Sequence, residues 1–225
     1  MRLMTLKHNQ SAVFDAVPAF SAECDLLVAG LGTAGAELAI LAARQGLRVI
    51  AVEKGNAPCG QGGIGGVWDY YFGTPGGAWE ERDRIEDARM KEGYAHRGVV
   101  RTLVSDEALS DAGVDARYET AVLGVWLSGK RAEGLRVACH GRVYDIKARI
   151  TADCTGSALL VRMAGGAFTA GRAWDGAQMA FSKVVIHTEP NTPVQSRYSF
   201  CGRMNGFPEE EAFTRRALTA ATLPP

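Results

Sequence analysis

The sequence predicts an α/β fold, a parallel sheet flanked by helices with a small antiparallel β-meander attached. Three observations predict it. Residues 24–54 read CDLLVAGLGTAGAELAILAARQGLRVIAVEK: an apolar run, a glycine-rich turn, a helical pattern and a second apolar run. Between residues 114 and 148 the hydrophobic period switches to two, with Ser128-Gly129-Lys130 and His140-Gly141-Arg142 supplying turns. An apolar run over 148–154 then leads into Thr155-Gly156-Ser157 and a short helical pattern, a second strand–turn–helix unit.

In chain order, residues 1–23 form a polar and then mixed N-terminal arm, with Pro18 ahead of the first strand. Residues 26–29 are that strand, and they drive straight into Gly30-Leu31-Gly32-Thr33-Ala34-Gly35. Gly30 lets the chain turn sharply, and Gly32 has no side chain to hold a phosphate away from the backbone. Gly35 lets the helix lie close to the sheet, with the small Ala39 one turn later. The first helical turn then presents free N–H groups and its positive end to an anion. The second strand, 49–52, ends on Glu53, which lies 21 positions beyond Gly32. That is close to the roughly 20-residue offset of an acid that accepts ribose hydroxyls. The arrangement is a dinucleotide site, and a carboxylate there suits an unphosphorylated ribose, so FAD or NAD is favoured over NADP.

A second glycine-rich loop, GQGGIGG, occupies 60–66, and an aromatic segment with Trp68, Tyr70, Tyr71 and Phe72 follows. Residues 79–92 (WEERDRIEDARMKE) read as a solvated helix with Glu/Arg pairs. Residues 97–112 read as another, with Val100, Leu103, Val104 and Leu109 near one face and Gly113 as its stop. The short runs 114–118, 121–127, 134–139 and 143–148 form the meander; 148–154 is a separate strand rejoining the main sheet, and 158–164 is its helix. Residues 179–187 resemble a strand and 209–221 a helix. The resulting division is an arm over 1–23, a dinucleotide-binding domain over 24–170, and the start of a substrate domain over 171–225.

Composition narrows the function classes. Twenty-five basic residues balance 25 acidic ones, so nothing points to nucleic acid or an anionic membrane surface. No apolar run approaches the roughly 20 residues of a membrane helix. The start MRLMTLKHNQ lacks the apolar core of a secretory signal, which gives a cytoplasmic expectation. Five scattered cysteines form no CxxC pair, and His8, His96 and His140 show no ligand spacing, so neither a disulfide framework nor a metal site is expected.

The order of these features resembles the FAD-dependent oxidoreductases of the large glutathione-reductase-like superfamily, whose FAD/NAD(P)-binding domain is Rossmann-like. The resemblance rests on the first glycine turn, the GQGGIGG loop, the meander and ITADCTGSALLVRMAGGAFTAGRAWDG, and it covers residues 25–185. In that family a strand ends in Asp-Ala-Thr-Gly-Asp; here it reads Asp153-Cys154-Thr155-Gly156-Ser157. The resemblance implies FAD as cofactor, with Gly30, Gly32, Thr33, Ala34 and Gly35 at the pyrophosphate and Glu53, followed by Lys54, at the adenosine ribose. Gly62 and Gly63 would pass close to the pyrophosphate or flavin, Ala121-Val122 would offer backbone to the adenine edge, and Thr155-Gly156 would close over the cofactor from the other side. Ser157 departs from the family's acid. Family members also run longer, so the chain reads as truncated, with a second polypeptide as one way to complete the flavin site.

A flavin carries its own redox chemistry, and the protein positions and shields it. Cys59 could serve as a redox thiol, although packing is the plainer reading. Trp68, Tyr70 and Tyr71 suit either a pocket wall or a core. His187 with Glu189 could form an acid/base pair and Arg172 could meet an anion, against structural and surface roles respectively; no catalytic residue is assigned. The expected function is hydride or electron transfer between a small-molecule substrate and FAD. The alternative is a non-catalytic FAD-binding fragment. A simple NAD-dependent dehydrogenase is disfavoured, because a single Rossmann unit needs neither the meander nor the Thr155-Gly156 turn.

Overall fold

Apolar residues on both faces of a short strand demand cover on both sides, and β3 (Phe20–Ala29) and β4 (Val49–Val52) have it. Leu27, Ala29, Ile50 and Val52 point into one core cluster; Leu26, Val28, Val49 and Ala51 point into another. The second cluster is closed by α1 (Thr33–Arg44), through Ala36, Ala39 and Ile40, and by Leu109 of α3 (Arg97–Asp111). The first is closed by Val125 of β6 (Thr120–Ser128), Leu135 and Val137 of β7 (Arg131–Cys139), Ile146 of β8 (Arg142–Asp153), and Leu160 and Met163 of α4 (Leu159–Met163). The computed structural model describes residues 1–63, 65, 67, 76–93, 97–171, 181–188 and 195–202.

Strands β8, β3, β4 and β5 (Asp115–Arg117) form the parallel part of the sheet, in that order. Two features of this part of the sheet differ from the sequence expectation. The run 114–118, assigned to the meander, supplies β5, which pairs parallel to β4 through Ile50↔Asp115 to Val52↔Arg117. Gly113, at φ +76, ends α3 and returns the chain to that edge, and the Val114 N–H closes onto the Leu109 carbonyl at 3.0 Å. The runs 143–148 and 148–154 are one 12-residue strand, β8. It pairs antiparallel with β7 along Arg142–Lys147 and parallel with β3 from Asp145 to Asp153, so one strand joins the meander to the parallel sheet.

The N-terminal arm contains strands β1 (Arg2–Lys7) and β2 (Gln10–Phe14). His8 and Asn9, both at positive φ, join them, and the Lys7↔Gln10 pair closes this two-residue turn. β1 pairs with β6, so the eight-stranded order is β2-β1-β6-β7-β8-β3-β4-β5. Asp145, buried in β8, holds the segment before β3 to the meander: it accepts hydrogen bonds from the Ala19 N–H (2.8 Å), Trp126 Nε1 (2.8 Å) and both Nε and Nη2 of Arg136 (2.9 Å each). Burial alone would raise its pKa. The donors outweigh it, Arg136 first and then Ala19 and Trp126, and hold the carboxyl below its ordinary value.

The helix expected over 79–92 is α2 (Gly77–Lys91), but it is not solvated all round. Arg82 and Glu86 are buried, Arg82 paired with Glu37 of α1 and Glu86 with Arg101 of α3.

By its internal packing the chain divides into Met1–Phe168 and Thr169–Pro225. In the second unit the described residues form an antiparallel pair, β9 (Phe181–Thr188) and β10 (Gln195–Gly202). The strand expected at 179–187 corresponds to β9; the helix expected at 209–221 lies outside the described residues.

Candidate functional site

The three glycines of the first turn have three different surroundings. Gly30 is at φ +90, and a Cβ there would come within 2.8 Å of the Cys154 carbonyl oxygen. A Cβ on Gly35 would overlap the Gly30 carbonyl oxygen and press on Cys154. These two positions therefore let the end of β8 pack against the turn, backbone to backbone, and the Cys154 N–H donates to the Ala29 carbonyl at 2.9 Å. Gly32 is otherwise: its Cβ position meets no atom within 4 Å. It is the N-cap of α1, without a side-chain capping bond, and the first turn carries no acid. The positive end of the helix faces open space.

Glu53, at the tip of β4, accepts the Leu31 N–H with Oε2 (2.8 Å) and the Gly55 N–H with Oε1 (2.8 Å). The carboxylate thus fixes the first glycine turn as well as facing the site. Its own carbonyl accepts the Thr120 N–H (2.8 Å), which draws the start of β6 alongside. On the opposite side Asp153 accepts the Thr155 N–H (3.1 Å) and hydroxyl (2.6 Å) with one oxygen and the Leu160 and Val161 N–H groups with the other (2.8 and 3.1 Å). The Thr155 hydroxyl accepts the Leu159 N–H at 2.8 Å. Both side chains are committed to turning the chain into α4, which leaves the Thr155-Gly156 backbone to face the site.

These ends enclose a cleft of about 660 Å³. It lies at the carboxyl ends of β3, β4 and β8, where open α/β sheets place their ligands. Of the sequence-predicted residues, Gly30, Gly32, Thr33 and Ala34 line one side, Glu53, Lys54 and Val122 another, and Thr155 and Gly156 the far side, with Ser157 beside them. Gly35, Gly62 and Gly63 do not line it. Gly35 is taken up by helix packing; Gly62 lies against Thr33 and Arg101, and Gly63 against Thr102 and Cys59.

The remaining wall is Cys59, Gly60 and Gln61. Cys59 adopts φ +70, its N–H donates to the Leu31 carbonyl at 2.7 Å, and it bridges to Gly32, so the two glycine turns are tied together. Its thiol is buried and hydrogen-bonded to the Ser105 hydroxyl at 2.9 Å, and burial pushes its pKa up. It is held as a protonated packing group, turned toward α3 rather than poised as a redox thiolate. Sequence reasoning missed the backing that Arg101, Thr102 and Ser105 give this wall. The apolar spacing of α3 was the available signal, yet Leu103 is exposed while Arg101 and Ser105 are buried beside Val100 and Val104. Trp68, Tyr70, Tyr71, Arg172 and Glu189 lie outside the described residues, and His187 lies on β9 in the second unit. Among the described residues no cluster has the makings of a metal site, and no helix is long and apolar enough to cross a membrane.

A search of curated proteins gave no significant match. Among solved structures, a geranylgeranyl bacteriochlorophyll reductase-like protein from Thermoplasma acidophilum superposes with a TM-score of 0.53 at 16% identity, over 82% of this chain and 57% of its own. A myxobacterial chondrochloren halogenase, an FAD-dependent halogenase, gives 0.43 at 22% identity, over 60% of this chain and 38% of its own. A 3-ketosteroid-Δ4-(5α)-dehydrogenase from Rhodococcus jostii gives 0.43 at 17% identity, over 60% and 46%. The chain thus spans between 38% and 57% of the length of these structures. The reductase-like protein supports the Rossmann-like fold. The family described as FAD dependent oxidoreductase matches residues 25–222, nearly the whole chain, and the protein belongs to it.

Proposed function

We propose that the cleft holds the ADP half of FAD and that the protein transfers a hydride or electrons between a small-molecule substrate and that cofactor. The observation that carries this reading is the open approach to Gly32, beside an uncapped, acid-free helix end and across from the Glu53 carboxylate. A diphosphate needs the first two and a ribose diol the third. The N–H groups of Thr33 and Ala34 would receive the phosphates, with Lys54 as a nearby cation. Glu53 has lone pairs left after Leu31 and Gly55 are served, and these would accept ribose hydroxyls. The Val122 backbone would meet the adenine edge, and Thr155-Gly156 would close the far side. Gly30 and Gly35 would act by letting the backbone close up, and Gly62 and Gly63 by letting the second loop lie against α1 and α3.

FAD would supply the redox chemistry; the chain's part is to grip it, orient it and exclude water. On this reading residues 24–170 are the FAD-binding domain, of the glutathione-reductase-like kind, and 171–225 begin a substrate domain. The test is spectroscopic. The purified chain, mixed with FAD and freed of excess, should carry a flavin band that bleaches under anaerobic reduction and returns in air. A folded, colourless chain that takes up no FAD would refute the proposal.

A further inference from the structure

A buried ion pair lies behind the Cys59–Gln61 wall of the cleft. Arg101 of α3 is 2% exposed and Glu86 of α2 is 1% exposed. Arg101 Nε donates to both Glu86 oxygens at 3.0 Å, and Nη2 donates to Asp83 at 3.2 Å. Charges withdrawn from water in this way add little net stability compared with a well-packed apolar pair, so their use here invites another explanation. What they do hold is position. A Cβ on Gly62 would sit 3.8 Å from Arg101 Cδ and Nη1 and 3.0 Å from the Thr33 hydroxyl. Gly62 therefore lies close to both the guanidinium and the first turn of α1. One residue along, Thr102 crowds Gly63, and one helical turn on, Ser105 takes the Cys59 thiol.

We propose that Arg101 is a positioning residue for FAD: clamped by Glu86 and Asp83, it sets, through Gly62, the distance between the loop that carries the Cys59–Gln61 wall and the phosphate-facing turn of α1. This rests on the cleft being the FAD site. It assigns Arg101 no contact with the cofactor; the guanidinium acts through the loop, and its rigid fork is what a lysine cannot reproduce.

The test compares wild type, Arg101→Lys, and the double variant Arg101→Met with Glu86→Met, which removes both buried charges and keeps apolar volume. Each is assayed for unfolding temperature without FAD, and for FAD affinity, FAD dissociation rate and flavin band shape in the folded protein. The double variant should unfold near the wild-type temperature yet bind FAD at least tenfold more weakly, with faster release and a blurred flavin band. Arg101→Lys should show the same binding defect, and it decides the question by itself if the double variant does not fold. Wild-type affinity in folded Arg101→Lys or the folded double variant would overturn the inference while leaving the FAD reading intact. Failure of the wild type to bind FAD would overturn both.

Discussion

Gly32→Ala separates folding from cofactor binding more cleanly than any other change in the turn. The backbone at Gly32 is ordinary, φ −61 and ψ −174, and its Cβ position is open. Alanine should restrict the unfolded chain and stabilise by about 0.4–1 kcal/mol. It is a poorer N-cap than glycine, by about 0.5–1 kcal/mol. The two effects nearly cancel, so the unfolding temperature of the cofactor-free protein should move by no more than about 4 °C. On the proposed placement of the diphosphate, the added methyl instead occupies the path by which a phosphate would reach the α1 N–H groups. An overpacking cost of about 1–3 kcal/mol corresponds to a roughly 5- to 150-fold loss of FAD affinity. The assay pairs a thermal melt without FAD with titration of FAD by its fluorescence quenching. Wild-type FAD affinity in a folded Gly32→Ala protein would refute the placement of the diphosphate at this turn.

Two neighbouring glycines should behave in the opposite way, since an added Cβ at Gly30 or Gly35 meets backbone; alanine at either should lower the melting temperature before any cofactor is added. Glu53→Gln replaces one of two oxygens that accept backbone N–H groups with an NH2 facing a donor. A loss of about 2 kcal/mol, or roughly 4–8 °C in the melt, should accompany weaker FAD binding; an unchanged melt would show that the carboxylate does not fix the turn. Asp145 predicts a pH dependence. Its folded carboxyl is held below the usual value, so its contribution is complete above the unfolded pKa of about 3.9 and is lost as pH falls through the lower folded value. Asp145→Asn should cost about 1.5–3 kcal/mol near neutrality by weakening the charge-assisted bonds to Arg136, and should flatten the acid limb of the stability curve; a variant melt parallel to wild type from pH about 6 to about 3 would contradict this.

The parts of the molecule legible in the sequence were those where the backbone does the work locally. The turn from Gly30 to Ala34, the β4 tip at Glu53 and the Thr155-Gly156 turn, each recognisable in the sequence as a strand end, line one cleft, because each has a geometry that its own few residues dictate. Pairing was less legible. Residues 143–154 carry no mark of where β8 exchanges β7 for β3, since its change of partner depends on sheet twist and distant strands. The 114–118 run looked like a meander strand because three residues cannot show whether their neighbour runs parallel. The β1–β2 hairpin turns on His8-Asn9, a pair without glycine, and its mostly exposed strands show little alternation. Hidden deepest was the α2–α3 ion pair: WEERDRIEDARMKE has the composition of a solvated surface, and only tertiary packing selects Arg82 and Glu86 for burial.

Displacement of bound FAD by ADP, with FMN as the control, tests whether the cleft grips the ADP half of FAD. FAD binding should be saturable and one-to-one, competed away by ADP and untouched by FMN. Displacement by FMN, indifference to ADP, or a folded chain that does not bind FAD at all would contradict it.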